Sequence, residues 1–289
     1  MSGSYKTKLA VIGGSRAYDM LRRGAFGPAV KSFRPKTPYG KSAPLHLFQG
    51  NGFTFYFLSR HGEKGYDLAA PFVNYRANIR ALKDKGVERI VSWSGPGAIN
   101  SKMKPGHLVL PDDAIDFTKD RQSTFFDGTG KGFIRMNEPF CPEIRKILAS
   151  SAPPRTKIHK SGVYCCTQGP RLETRAEIKM FGRMGADLVG MTLLPEAFLA
   201  RELEICYAPL CYVTNYAESV KQRDFKSGVL FEGMQSAAEK KSVESALDRF
   251  PYILMKSLKH LSAMNRKCGC QNAMKRYRKK DRPATSGKL

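Results

Sequence analysis

The sequence predicts an α/β fold with a largely buried sheet, and three observations predict it. Short apolar runs alternate with amphipathic segments along the whole chain, and no internal repeat or linker interrupts them before residue 265. At 289 residues, 42% of them hydrophobic, the chain can also bury one large core. One domain over residues 1–264 is therefore expected, with 265–289 as an extension.

The apolar runs Leu9 to Ile12, Phe53 to Leu58, Ile90 to Trp93, His107 to Leu110, Gly162 to Thr167, Asp187 to Met191 and Tyr207 to Thr214 read as buried strands. They are short and rich in β-branched and aromatic residues. Helical periodicity falls between several of them, at Tyr75 to Lys85, Cys141 to Ser151, Glu173 to Met184 and Pro195 to Glu204, with a long helix from about Leu230 to Ser262. No stretch reaches the 18 or so apolar residues of a membrane span, and Met1 to Thr7 is polar and basic with no apolar run behind it. The expectation is a protein without membrane span or leader.

Charge is the unusual feature: +24 overall, with an isoelectric point near 9.9. It favours anionic partners without saying which. Nine Lys or Arg stand in 265–289 against Asp281 alone, which makes that segment a solvated, disordered tail by expectation. With Tyr277 as its single aromatic, such a tail would bind nucleic acid only weakly and without sequence preference. The seven cysteines lack the even spacing of a secreted disulfide framework, so a reducing cytoplasm is the default compartment. The close pairs are Cys165-Cys166 and Cys268-Gly269-Cys270, with His260 the sole histidine near the latter; finger-like zinc spacing is missing and no metal site is expected.

In α/β folds ligands sit beyond the carboxyl ends of strands. Four turns fall there: Gly13-Gly14-Ser15-Arg16, Ser59-Arg60-His61-Gly62, Ser94-Gly95-Pro96-Gly97, and the turn opened by Thr192. Glycine lets backbone N–H groups approach an oxyanion, the hydroxyls donate further bonds, and the Arg60 fork matches two phosphate oxygens. Each signal alone is weak. The Walker and dinucleotide glycine spacings are absent, as is the Gly-x-Ser-x-Gly elbow of a serine hydrolase, so free phosphate is the expected ligand.

Five segments then resemble one family in order: Gly13-Gly14-Ser15; Ser59-Arg60-His61-Gly62; Val73 to Ile79 (VNYRANI); Gly169 to Glu177 (GPRLETRAE); and Gly190 to Ala197 (GMTLLPEA). The chain resembles the trimeric purine nucleoside phosphorylase and methylthioadenosine phosphorylase family over roughly residues 8–262. The resemblance implies a single domain with a central mixed β-sheet or barrel flanked by helices, a homotrimer, and cleavage of an N-glycosidic bond by inorganic phosphate as co-substrate, without a cofactor. It carries phosphate binding to Ser15, Arg60, His61, Ser94, Gly95 and Thr192, ribose contact to Met191, and base recognition to Glu173, Asn215, Tyr216 and Ala217, with Asn215 and His61 as catalytic candidates. Considered alone, His61 is a satisfied histidine, Met191 is core filling, and Glu173 is an acid in the first turn of a helix.

Two departures bear on the substrate. Methylthioadenosine phosphorylases carry Asp-Tyr-Asp where this chain has Asn215-Tyr216-Ala217. An asparagine amide offers a donor and an acceptor, suiting a 6-oxo group beside N7, and the Glu173 carboxylate can accept from N1–H, which adenine lacks. The expectation is a phosphorylase of 6-oxopurine nucleosides: inosine, guanosine or, with an apolar 5′ group, 5′-methylthioinosine. Methylthioadenosine phosphorylase and an inactive, basic nucleic-acid-binding relative are the alternatives. Related methylthioadenosine enzymes also keep a second histidine shortly after Arg-His, where this chain runs Glu63-Lys64-Gly65-Tyr66-Asp67; the residues flanking the ribose 5′ position are expected within Asp224 to Phe231.

Overall fold

The structure is a computed structural model, and it describes residues 7–221 and 236–278. In chain order its first half runs β1 (Leu9–Gly13), α1 (Ala17–Arg22), β2 (Lys31–Phe33), β3 (Lys36–Thr37), β4 (Gly40–Lys41), β5 (Leu45–Gly50), β6 (Phe53–Ser59), α2 (Tyr75–Asp84), β7 (Arg89–Ser94), β8 (Gly97–Ala98), β9 (Leu108–Val109) and β10 (Asp113–Phe117). The second half runs α3 (Pro142–Ser151), β11 (Ile158–His159), β12 (Val163–Thr167), α4 (Arg175–Arg183), β13 (Leu188–Gly190), α5 (Glu196–Glu202), β14 (Cys206–Tyr212), β15 (Asn215–Tyr216) and α6 (Ala237–Ala263).

The strands form an eight-stranded mixed sheet, β11-β9-β14-β7-β1-β6-β5-β2, a five-stranded sheet, β10-β12-β13-β8-β15, and the small β3-β4 pair. At the centre of the large sheet β14, β7, β1 and β6 are mutually parallel. Every residue of β1, β7 and β14 is buried, as expected of strands covered on both faces. Because these four strands run the same way, their carboxyl ends open on one edge. Ser15, Arg60, Gly95 and Thr214 all follow from that edge.

Helices begin where the sequence satisfies their first N–H groups. Asn74 caps α2 through Ala77, and Thr174 with Glu177, like Ser236 with Glu239, forms a reciprocal capping box. The long helix, expected from about Leu230, is described from Ala237, and 222–235 lie outside the described residues together with the Asp224–Phe231 segment. Among the described residues no helix is long and apolar enough to cross a membrane.

The C-terminal segment differs from the solvated tail expected. Residues 265–278 pack back on the core: Arg278 pairs with Glu204 at 2.6 Å, the Tyr277 hydroxyl accepts from the Phe133 N–H at 2.8 Å, and Cys268 and Cys270 are buried. A run of like charges reads as solvated, but here acidic partners on the domain and two apolar thiols hold it. Residues 279–289 lie outside the described residues.

Candidate active site

A cavity of about 1160 Å³, counting its open mouth, lies beyond these strand ends. Its lining includes Ser15, Ser94, Gly95, Glu173, Met191, Thr192, Asn215 and Ala217 of the expected site, together with Arg16, Tyr18, Tyr66, Leu172, Tyr212, Thr214, Glu218, Val243 and Leu247. Both sheets contribute. Ser15 and Ser94 come from β1 and β7 of the large one, while Glu173, Met191 and Asn215 follow or belong to β12, β13 and β15 of the smaller one.

Backbone proximity sets the hydroxyl end. At Gly14 a Cβ would stand 2.4 Å from the Trp93 carbonyl oxygen, so only glycine lets the first turn cross β7 here. Trp93 Nε1 and the Tyr212 hydroxyl both donate to the Ser15 carbonyl, at 3.1 and 3.2 Å, and fix that turn. The Ser94 and Thr192 hydroxyls lie 3.3 Å apart, with the Tyr164 hydroxyl 3.1 Å from Ser94. Gly190 makes room for that tyrosine, since a Cβ would sit 2.0 Å from its oxygen. Two convergent hydroxyls beside Gly95 are chemically a donor set for an oxyanion.

Arg60 and His61 are placed differently from what the sequence suggests. The Arg60 side chain is fully buried, and its fork is already engaged: Nε and Nη2 donate to the Glu196 carboxylate at 2.8 and 2.6 Å, and Nη1 to the Trp93 carbonyl at 3.2 Å. Burial alone would lower this guanidinium's pKa, but the Glu196 charge outweighs it and pushes it up. Tyr207 completes the group, donating to Glu196 at 2.7 Å while accepting from Ser92 at 2.6 Å. Arg60 therefore stands behind the cavity wall as a buttress. A carboxylate 136 residues away thus takes the Nε and Nη2 side of the fork, while Nη1 lies beside the Trp93 carbonyl and the Gly14 turn.

His61 is buried and neutral, pushed down to about 3 by burial first and by the Arg60 charge second. Its Nδ1 lies 2.8 Å from the Leu68 carbonyl, which can only accept, so Nδ1 carries the proton and Nε2 is an acceptor. Tyr66 stacks over the ring at 4.1 Å with its hydroxyl 3.3 Å from Nε2. Burial pushes the Tyr66 phenol up to about 12, although Arg60 and a hydrogen bond with Ser15 oppose the shift. Tyr66, not His61, meets the cavity. It stands within the stretch Glu63 to Asp67 that the sequence singled out.

At the other side, Glu173 sits immediately before the α4 cap Thr174, outside the helix, so a first-turn dipole role does not describe it. The Thr167 hydroxyl donates to its carboxylate at 2.6 Å. Burial raises the Glu173 pKa, and the Thr167 bond holds it back. Asn215 is buried on β15; its Oδ1 is 2.6 Å from the Thr214 hydroxyl and its Nδ2 donates to the Tyr216 carbonyl at 2.7 Å. Tyr216 and Ala217 flank it, and of these two Ala217 lines the cavity. Met191 packs its sulfur against Gly169, where a Cβ would come within 2.5 Å.

Arg121 escapes sequence reasoning altogether. Nη1 donates to the Met191 and Leu194 carbonyls at 2.7 and 2.9 Å, and Nη2 to those of Thr167 and Gln168 at 3.2 and 2.5 Å. It joins the loops that carry Glu173 and Thr192. A lone arginine in a polar connection gives no local signal of this.

A model of the Phosphorylase superfamily matches residues 8–248. A probable 6-oxopurine nucleoside phosphorylase of Thermococcus kodakarensis is 41% identical over 276 residues, covering 93% of this chain and 97% of its own length. The chain belongs to the phosphorylase superfamily, as a nucleoside phosphorylase. A second relative of this phosphorylase, a probable S-methyl-5′-thioinosine phosphorylase of Methanothermobacter thermautotrophicus, is 39% identical over 267 residues, 92% of this chain and 89% of the relative. Among solved structures, a methylthioadenosine phosphorylase from an antarctic soil metagenomic library superposes with a TM-score of 0.80 at 34% identity, covering 93% of this chain and 91% of that one. The single α/β architecture with a mixed sheet and flanking helices is the one these proteins share.

Proposed function

We propose that this phosphorylase cleaves 6-oxopurine nucleosides, releasing the free base and ribose 1-phosphate. The observation that carries this is the pairing of Glu173 and Asn215 in the same cavity as the Ser94–Thr192 hydroxyl pair. Phosphate on the hydroxyls of Ser15, Ser94 and Thr192 attacks C1′ of the ribose. The C1′–N9 bond breaks, and its electron pair leaves with the purine. Phosphate supplies the counter-charge for the positive ribose ring, and a hydrogen bond from the Asn215 amide at N7 stabilises the anionic base. The Glu173 carboxylate accepts from N1–H, a proton that hypoxanthine and guanine carry and adenine lacks.

A second reading concerns the 5′ group. Val243 and Leu247, one turn apart on α6, give the cavity an apolar wall, which supports 5′-methylthioinosine as a substrate. The name of the Methanothermobacter relative supports the same reading. A trimer of the chain completes the proposal, and light scattering measures it directly.

The deciding experiment gives purified protein phosphate with, separately, inosine, guanosine, methylthioinosine, adenosine and methylthioadenosine, and follows base release. Preference for the three 6-oxo nucleosides by at least about a hundredfold in kcat/KM is expected, because a buried site built for N1–H leaves polar groups unpaired against adenine. Equal turnover of methylthioadenosine would refute the base assignment.

A further inference from the structure

The structure brings Cys141, Cys206, Cys268 and Cys270 together, with all four sulfurs within 4.8 Å of one another and Cys206 and Cys268 at 3.3 Å. All four are free thiols with no more than 8% exposure. A tetrahedral zinc–thiolate centre has Zn–S bonds of about 2.3 Å, which puts its sulfurs about 3.8 Å apart. We propose that these four cysteines bind one zinc ion as a structural tetrathiolate site.

No local spacing marks the site because the ligands come from three segments: Cys141 caps α3, Cys206 opens β14, and the Cys268-Gly269-Cys270 turn follows α6. Binding is a displacement without redox change: Zn²⁺ replaces four thiol protons, and the centre carries a net charge of about −2. A buried cation stands beside that charge. Arg89, the register partner of Cys206 on β7, is 4% exposed, and its Nε finds no hydrogen-bond partner.

None of the four cysteines lines the nucleoside cavity, so the ion has no part in the reaction. It ties the end of α6 to α3 and the sheet. Residues 265–278, whose charge alone favours solvation, are thereby closed onto the domain.

The test uses the full chain isolated with reductant and without chelator. Elemental analysis should find about one zinc per chain, and a thiol-blocking mercurial should release it. Exchange into cobalt should give the intense visible absorption and sulfur-to-metal charge transfer of a tetrahedral thiolate site. Cys270→Ser should lose the metal and lower the melting temperature, and the cobalt spectrum of the wild type decides the matter even where that variant does not fold. Less than about a fifth of an equivalent after reconstitution with zinc overturns the proposal. So does mass spectrometry that finds these cysteines paired as disulfides in the protein as isolated.

Discussion

Arg60 and Glu196 form an ion pair with both side chains wholly buried, joined by two parallel hydrogen bonds of 2.8 and 2.6 Å. Breaking such a pair leaves one uncompensated buried charge, costing about 3–5 kcal/mol. Glu196→Gln should therefore lower unfolding free energy by several kcal/mol in urea titrations. Arg60→Lys should do the same, since an ammonium cannot replace a fork. A loss below about 1 kcal/mol in both would show that the pair does not hold the strand ends.

The Ser94–Thr192 hydroxyl pair is expected to bind phosphate. Thr192→Val keeps the shape and removes one donor, at about 1–1.5 kcal/mol. The KM for phosphate should rise about tenfold with the nucleoside KM little changed. Equal changes in both constants would place Thr192 outside the phosphate site.

Base choice is expected to follow Glu173 and Asn215. Glu173→Gln should lower kcat/KM for inosine by about a hundredfold, and Glu173→Gln with Asn215→Asp should raise the relative rate on adenosine-type nucleosides. Because burial raises the Glu173 pKa, the acceptor form disappears on acidification earlier than for an ordinary carboxylate. The acid limb of the inosine profile should thus lie above the usual carboxyl range, and Glu173→Gln should remove that limb.

His61 makes the fold sensitive to acid. Its folded pKa of about 3 lies below the free value of 6.5, so between those limits the unfolded chain holds the extra proton. Stability is complete above pH 6.5 and falls as pH drops. Between pH 7 and 5 the loss is of order 2 kcal/mol. His61→Asn, which can still donate to the Leu68 carbonyl, should flatten this slope in denaturation measurements at the two pH values.

The strands were legible because β1, β7 and β14 are buried on both faces and read as unbroken apolar runs. Strands such as β2 and β10, with mixed or exposed side chains, gave no such run and were missed. Ser15, Ser94 and Thr192 were legible as turn residues after strands. What stayed hidden was mostly long-range: that Glu196 takes the Arg60 fork and that four cysteines from three segments converge. Side-chain partners sixty or more residues apart leave no periodicity to read.

Arg121 holds the carbonyls of Thr167 and Gln168 with one nitrogen and those of Met191 and Leu194 with another. The loop leading to Glu173 and the loop carrying Thr192 are thus tied to a single guanidinium. On the proposed assignment, that tie joins the base-recognition side of the cavity to its phosphate donors. The expected outcome is coupled binding: by thermodynamic reciprocity, phosphate and nucleoside should each change the other's affinity by the same factor, which titrations of either with and without the other measure.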